Sequence, residues 1–359
     1  MGEFQNKKGL VRGKEVYIGV DVHKESWYVT ARVDEEEVSH GRMPSQYHAL
    51  RRYLDQFQEC KIKVAYEAGP CGFGLYDKLT EDGIETLVVP PSLIPIESGN
   101  RVKTDKRDSR KLSKLLENKI LKRVHVFTEE ERMHRELLRT RHQLVTHRSD
   151  VARQIKSKLL FHGISSPFAG NQGWTSKYVQ WVRSLSPRSP SFEESLEVLI
   201  NLYEYLSKQL MRINRKVAEL SRADKYREKV KLLRTVPGVG LLTGMEVLVE
   251  LQEVGRFRSS EEIASYMGLT PSEYSSGEHI RQGRITRSRN WRVRKALIES
   301  SWILIGKDPW MRMIYMRLKS RKGAKRVIIA IARKLIIILR SMLLRNMSYG
   351  GVRPVVQGA

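Results

Sequence analysis

Residues 16–21, VYIGVD, and residues 63–67, KVAYE, decide how this chain folds. Each is a short apolar run closed by an acid, Asp21 in the first and Glu67 in the second. Both read as core strands, and acids at the ends of neighbouring strands face one edge of a sheet, where a metal site can form. Working outward, residues 27–33 (WYVTARV) and 37–42 read as hairpin strands with acids 34–36 between them. Residues 47–57 carry helical spacing, 72–81 read as a helix, and 85–89 (ETLVV) as a last strand closed by Pro90 and Pro91. Three meandering strands, then helix, strand, helix and strand, is the element order of an RNase H-like α/β fold. A doubly wound sheet with another strand order is the competing reading.

Beyond this region the sequence reads as α. From Lys103 to about Ser221 it is helical and highly charged, with long amphipathic helices over 129–164 and 192–221 that include Leu196, Leu199, Leu202, Leu206 and Leu210. A Pro- and Ser-rich stretch, 184–191, separates them. Such helices suit an antiparallel pair, a coiled-coil dimer arm or a bundle within one chain. The domains expected are therefore 1–125 (RNase H-like), 126–225 (helical coiled-coil linker) and 226–359 (mainly helical). In the last of these, residues 232–251 (LLRTVPGVGLLTGMEVLVEL) place a tight turn between two apolar helices, the pattern of a helix–hairpin–helix. Gly238 and Gly240 would let backbone N–H groups approach a phosphate, unless the turn merely joins its helices.

Asp105 and Asp108 stand three apart at a helix start in VKTDKRDSRKL, so both project from one face. Taken singly they read as helix-capping acids. Taken with Asp21 and Glu67 they form four carboxylates that would repel one another unless a hard divalent cation, Mg²⁺ or Mn²⁺, neutralised them. Between Arg101 and Val124 stand ten basic and three acidic residues, among them Lys103, Lys106, Arg107 and Arg110, which suits a phosphate backbone laid across the acids. A second basic run, Arg281 to Lys295, holds seven bases and no acid, including Arg281, Arg284, Arg287 and Arg292. Ser275 and Ser276 precede it beside Gly277; a serine there is a candidate nucleophile steadied by arginines, although such tripeptides usually only make turns.

The bulk composition agrees. Over 359 residues, 65 Lys and Arg stand against 40 acids, a formal net charge of +25, which points to a polyanionic partner. Two cysteines, Cys60 and Cys71, fit no zinc pattern and suit a reducing compartment. The basic N-terminus has no apolar core, and the most hydrophobic run, 327–339, is too short to span a bilayer and holds Arg333 and Lys334 at its centre. A cytoplasmic protein without a membrane segment is expected.

The set GVDVHKESW (19–27), YEAGP (66–70), KTDKRDSRKL (103–112), TVPGVG (235–240), GLTPSEYSSG (268–277) and GRITRSRNWRVRKAL (283–297) resembles the transposases of the insertion sequence 110 family. The resemblance runs in order from about Tyr17 to Leu344. It implies a RuvC-like domain of RNase H fold, a coiled-coil middle and a C-terminal transposase domain. By motif, the family's DEDD acids fall on Asp21, Glu67, Asp105 and Asp108, and its nucleophilic serine on Ser276, with Ser275 the fallback. It further implies donor and target DNA joined under a structured bridge RNA, a covalent phosphoserine link, and a homodimer or homotetramer with a composite site. Ser109 stands where relatives more often carry alanine.

Overall fold

The computed structural model describes residues 11–95, 104–168, 174–185, 189–276, 279–285 and 290–352. The chain divides into two units, Met1–Phe127 and Thr128–Ala359.

In the first unit, strand β1 (Glu15–Val22) pairs antiparallel with β2 (Ser26–Val33) and parallel with β4 (Lys61–Glu67). With β3 (Glu36–Pro44) and β5 (Glu85–Val89) the sheet order is β3-β2-β1-β4-β5. Asp34 and Glu35 both take positive φ, 50° and 66°, which gives the primed turn that matches strand twist in a two-residue hairpin. Alternation sorts the residues of β1 to two faces. Val16, Ile18 and Val20 join Val29, Val64 and Tyr66 under helices α1 (Tyr47–Leu54) and α2 (Gly74–Glu81), which contribute Leu50, Leu54, Leu75 and Leu79. This is the expected order of elements, with the first helix shortened at Leu54 and continued as a 3₁₀ turn.

Gly19 lies on the opposite face, which helix α3 (Asp105–Glu117) covers. Leu112 and Leu116 of α3 pack there against Ala65 and Val89. A Cβ on Gly19 would stand 2.1 Å from the Ser109 carbonyl oxygen and 2.5 Å from the Ser113 amide nitrogen. Only glycine therefore lets this helix lie on the strand. Thr30, the ladder partner of Gly19, shares a 2.8 Å hydrogen bond with the hydroxyl of Ser109, and both side chains are fully buried. At the far end of α3, the Glu117 carboxylate accepts from the Arg32 guanidinium at 2.8 Å and from the Glu35 backbone N–H at 2.7 Å.

The continuous helical character expected from Lys103 onward is corrected here. Helix α3 stops at Glu117, and Lys119 takes a left-handed φ of 57°. The chain then runs beside β5, where the Val124 amide donates to Val88 at 2.7 Å, and Leu121 and Phe127 are buried. Those two side chains and that bond hold a non-helical stretch where helix had been expected.

The second unit begins at a capping box, Thr128 with Glu131, that starts α4 (Glu129–Phe161). Val151, Ile155 and Leu159 of α4 pack on Leu196, Ile200 and Tyr203 of α6 (Pro190–Leu220), so the two long helices pair within one chain. Between them α5 (Ser176–Arg183) inserts Tyr178, Val179 and Val182; eight residues carry too little periodicity to have been read from the sequence. Leu202, counted with the apolar stripe, is exposed, because it falls outside the face that Leu196, Leu206 and Leu210 bury.

Helices α7 (Asp224–Leu233) and α8 (Leu241–Leu251) flank the VPGVG turn, and α9 (Ser260–Tyr266) leads into a hairpin of β6 (Pro271–Ser276) and β7 (His279–Ile285). Three helices follow, α10 (Trp291–Lys307), α11 (Pro309–Lys322) and α12 (Ala324–Arg345). The apolar run 327–339 supplies most of the buried face of α12 through Val327, Ile328, Ile331, Leu335, Ile336 and Leu339, while Arg333 and Lys334 are only partly buried. Among the described residues no helix is long and apolar enough to cross a membrane. An ionic network ties α8 to α4: Arg135 meets Glu250 at 2.7 Å, and Arg141 reaches Glu246 at 3.6 Å. Burial pushes the Glu246 carboxyl up to about 7, against the pull of Arg141.

Two outcomes follow from this packing. Gly19→Ala destabilises the first unit by about 1–3 kcal/mol, because both clashing neighbours are backbone, whereas Gly41→Ala, with nothing within 4 Å of its Cβ, stays near neutral. Denaturant midpoints of the two variants measure the difference. Glu246 sits above its ordinary 4.5, so the folded chain holds that proton more tightly than the unfolded one. The stability it contributes is fully present below pH 4.5 and is lost as pH rises through about 7, a loss on the order of 3 kcal/mol that Glu246→Gln removes from the pH profile.

Candidate functional site

The close seat of α3 brings its first turn to the end of β1. Thr104 caps the helix, its hydroxyl accepting from the Arg107 amide, so Asp105 and Asp108 are not needed as the cap. Asp21 shares the face of Gly19, two residues along β1, and is 8% exposed. Beyond the strand end, the Nε2 of His23 stands 3.0 Å from Oδ2 of Asp21 and 3.7 Å from Oδ1 of Asp105. Among the described residues, Asp21, His23 and Asp105 form a group whose ligand atoms all lie within 4.8 Å of one another.

The other two acids border this group. Val20 pairs with Tyr66, which puts Glu67 at the register position beside Asp21 and on the same face. Asp108 is one helical turn along α3, close enough for its charge to act on Asp21. Their carboxylates are not members of the tight group. Burial raises the Asp21 carboxyl above its ordinary range; His23 opposes the rise, and the charges of Asp108 and Asp105 add to it. A buried acid with two more acids beside it and one imidazole is under-compensated, and a divalent cation suits that donor set.

His23 and Gly19 were absent from the sequence-derived site, although both lie in the GVDVHKESW motif. The histidine's signal was its place two residues past a strand-terminal acid, and the glycine's was its place in the middle of a core strand.

The expected nucleic-acid contacts divide. Lys106 and Arg107 are partly or fully exposed on α3. Arg110 is engaged by Glu37, at 2.5 and 2.8 Å. Gly238, at φ 90°, has its missing Cβ taken up by the Ser300 carbonyl 2.5 Å away, so helix packing already requires glycine there. Gly240, the N-cap of α8, has open space around it. Arg292 is half-buried, and its charge faces Arg139, Arg135, Glu250 and Glu246. The backbone of Ser276 forms the last pair of the β6–β7 hairpin, opposite His279, with Ser275 opposite Ile280. Arg281 and Arg284 lie on β7. Lys103, Gly277 and Arg287 lie outside the described residues.

Comparison with known proteins assigns the class. A transposase family model of the DEDD type found in IS110 elements matches residues 18–163, and one described as the transposase IS116/IS110/IS902 family matches residues 230–316. The y4qE protein of Sinorhizobium fredii, which bears a transposase name, is 31% identical over 80% of this chain and 72% of that protein. The transposase for insertion sequence element IS1533 of Leptospira borgpetersenii is 28% identical over 67% of this chain and 70% of its own length. A pilin gene-inverting protein of Moraxella bovis is 34% identical over 33% of this chain and 38% of its own. The chain is a transposase, an enzyme that acts on DNA. It belongs to the IS110 family, whose DEDD domain implies a divalent metal.

If the acid group takes such an ion, saturating Mn²⁺ or Mg²⁺ stabilises the fold by about 2.7 kcal/mol at a hundredfold excess over Kd. Asp105→Asn shrinks that gain. Calorimetry with and without metal measures it, and an unchanged melting temperature counts against the site.

Proposed function

We propose that this chain is an RNA-guided DNA recombinase that cuts and rejoins donor and target DNA, with Asp21, Glu67, Asp105 and Asp108 holding Mg²⁺ or Mn²⁺ and Ser276 as the nucleophile. The observation that carries the metal half is the meeting of Asp21 and Asp105 at the sheet edge, with Asp108 adding its charge. A divalent ion there supplies charge neutralisation for a phosphodiester and its leaving oxygen. The chain's own residues do the rest. The serine Oγ attacks the scissile phosphorus, an Oγ–P bond forms, and the backbone P–O bond breaks with the departing oxygen taking a proton. A hydroxyl of the incoming strand then attacks the same phosphorus and releases the serine. The backbone of Ser276 being the last residue of β6 paired with β7 supports this role, because strand ends commonly carry functional residues.

Lys103, Lys106, Arg107, Arg281, Arg284 and Arg287 are proposed to hold phosphates, and the exposed Gly240, with no packing neighbour in place of its side chain, suits the helix–hairpin–helix contact better than Gly238. Arg110 would have to leave Glu37 to join them, and Arg292 is half-buried among the charges of Arg139, Arg135, Glu250 and Glu246. RNA guidance, a coiled-coil middle, the 1–125, 126–225 and 226–359 domains, and a dimer or tetramer rest on the family resemblance.

Ser276→Ala is expected to abolish the denaturant-resistant protein–DNA adduct and strand exchange, while Asp21→Asn lowers cleavage by several orders of magnitude. Retained strand transfer in Ser276→Ala would mean that water is the attacking group, as in a RuvC-type junction nuclease. Sequencing RNA that co-purifies with the protein, then assaying recombination with and without it, tests the guide.

A further inference from the structure

We infer that His23 is a direct nitrogen ligand of the metal held at the end of β1, so that the site is a mixed nitrogen–oxygen centre rather than one of carboxylates alone. The inference rests on the metal-site reading above.

The imidazole is placed by the fold. Strand β1 ends at Val22, and the His23 carbonyl is fixed by the indole N–H of the buried Trp27 at 3.1 Å. From that anchored backbone the ring turns to the acids, with Nε2 3.0 Å from Asp21 and 3.7 Å from Asp105. Around an octahedral ion with bonds of about 2.1 Å, neighbouring ligand atoms stand about 3.0 Å apart and opposite ones about 4.2 Å. Both observed separations fall within that span. The side chains are also exposed in the right sequence. Asp21 is the sequestered member at 12%, while His23 and Asp105 are each 53% exposed. That leaves an open side for water and a phosphate oxygen.

The nitrogen has a chemical consequence. Mg²⁺ is a hard ion that takes oxygen ligands, whereas imidazole favours the later divalent ions. A ring bound through Nε2 carries its proton on Nδ1. The site should therefore prefer Mn²⁺ to Mg²⁺ by more than the carboxylates alone would give, and His23→Ala should reduce that preference.

Manganese itself is the probe. Full-length protein without nucleic acid is titrated with Mn²⁺, free ion is counted by room-temperature electron paramagnetic resonance, and the bound ion is examined by pulsed methods for coupling to nitrogen. Stoichiometric binding with a ¹⁴N coupling that becomes ¹⁵N on histidine labelling, and that is lost in His23→Ala while Mn²⁺ still binds, supports the inference. Tight binding without histidine coupling overturns it and leaves the carboxylate site standing, with His23 only hydrogen-bonding Asp21. Coupling that persists in His23→Ala also overturns it. Failure of the native protein to bind Mn²⁺ overturns the metal-site reading and this inference together. His23→Gln, which keeps side-chain bulk without the imidazole, repeats the test should His23→Ala not fold, and coupling that persists in it overturns the inference in the same way.

Discussion

The contact of α3 with Gly19 is the constraint on which the first unit's site depends. Backbone meets backbone there, with a Ser109 carbonyl where a side chain would be, and Ala65 and the serines at 109 and 113 keep the layer thin. Van der Waals packing at that distance is unforgiving of one added methyl group. The Thr30–Ser109 hydrogen bond then fixes the helix along its axis, since both hydroxyls are buried and that of Ser109 also donates to the Lys106 carbonyl at 3.1 Å, tying the bond to the helix's own backbone. Together these set where the first turn of α3 falls, and hence where Asp105 stands relative to Asp21. A site whose ligands come from positions far apart in sequence is held by the packing that joins them, more than by the acids themselves.

What could be read from the sequence follows from the range of each signal. Asp21 and Glu67 were legible because a strand has a period of two and its end is marked by a change from apolar to charged. Asp105 and Asp108 were legible because a spacing of three defines a helical face. Nothing local, however, pairs Thr30 with Ser109, which are 79 residues apart, so Ser109 read as a small substitute for alanine when it is a bonded part of the interface. Gly238 shows the converse. Its sequence context pointed to a phosphate, but positive φ and the Ser300 carbonyl already account for the glycine. The break in helix after Asn118 was missed for the same reason, since the segment that follows is held against β5 and not by its own charges.

The second unit places a different kind of interaction near its centre. Glu250 is buried against Arg135 and Arg139, and Glu246 against Arg141, so α8 is joined to α4 by ion pairs that carry a desolvation cost. Such pairs add little net stability, but they are selective, because a shifted helix would leave a buried charge unpaired. The same helix follows the VPGVG turn, and its N-cap Gly240 is the open end. Register held at one end of α8 therefore fixes the turn at the other.

Charge and packing on α3 are not independent. Ser109, Leu112, Ser113 and Leu116 form its buried face, and Asp105 and Asp108 continue that line into the first turn. Arg107, Arg110 and Lys114 occupy the exposed side. One amphipathic phase thus directs the acids along the packed face toward β1 and the bases toward solvent. A phosphate arriving from solution would meet the bases first, which suits a strand drawn in by long-range attraction. It would reach the acids only where a cation lies between them, because carboxylates that already oppose the ionisation of Asp21 would repel a further anion. Arg110 is held by Glu37 in the unbound protein, so it would have to give up that ion pair before it could meet a phosphate.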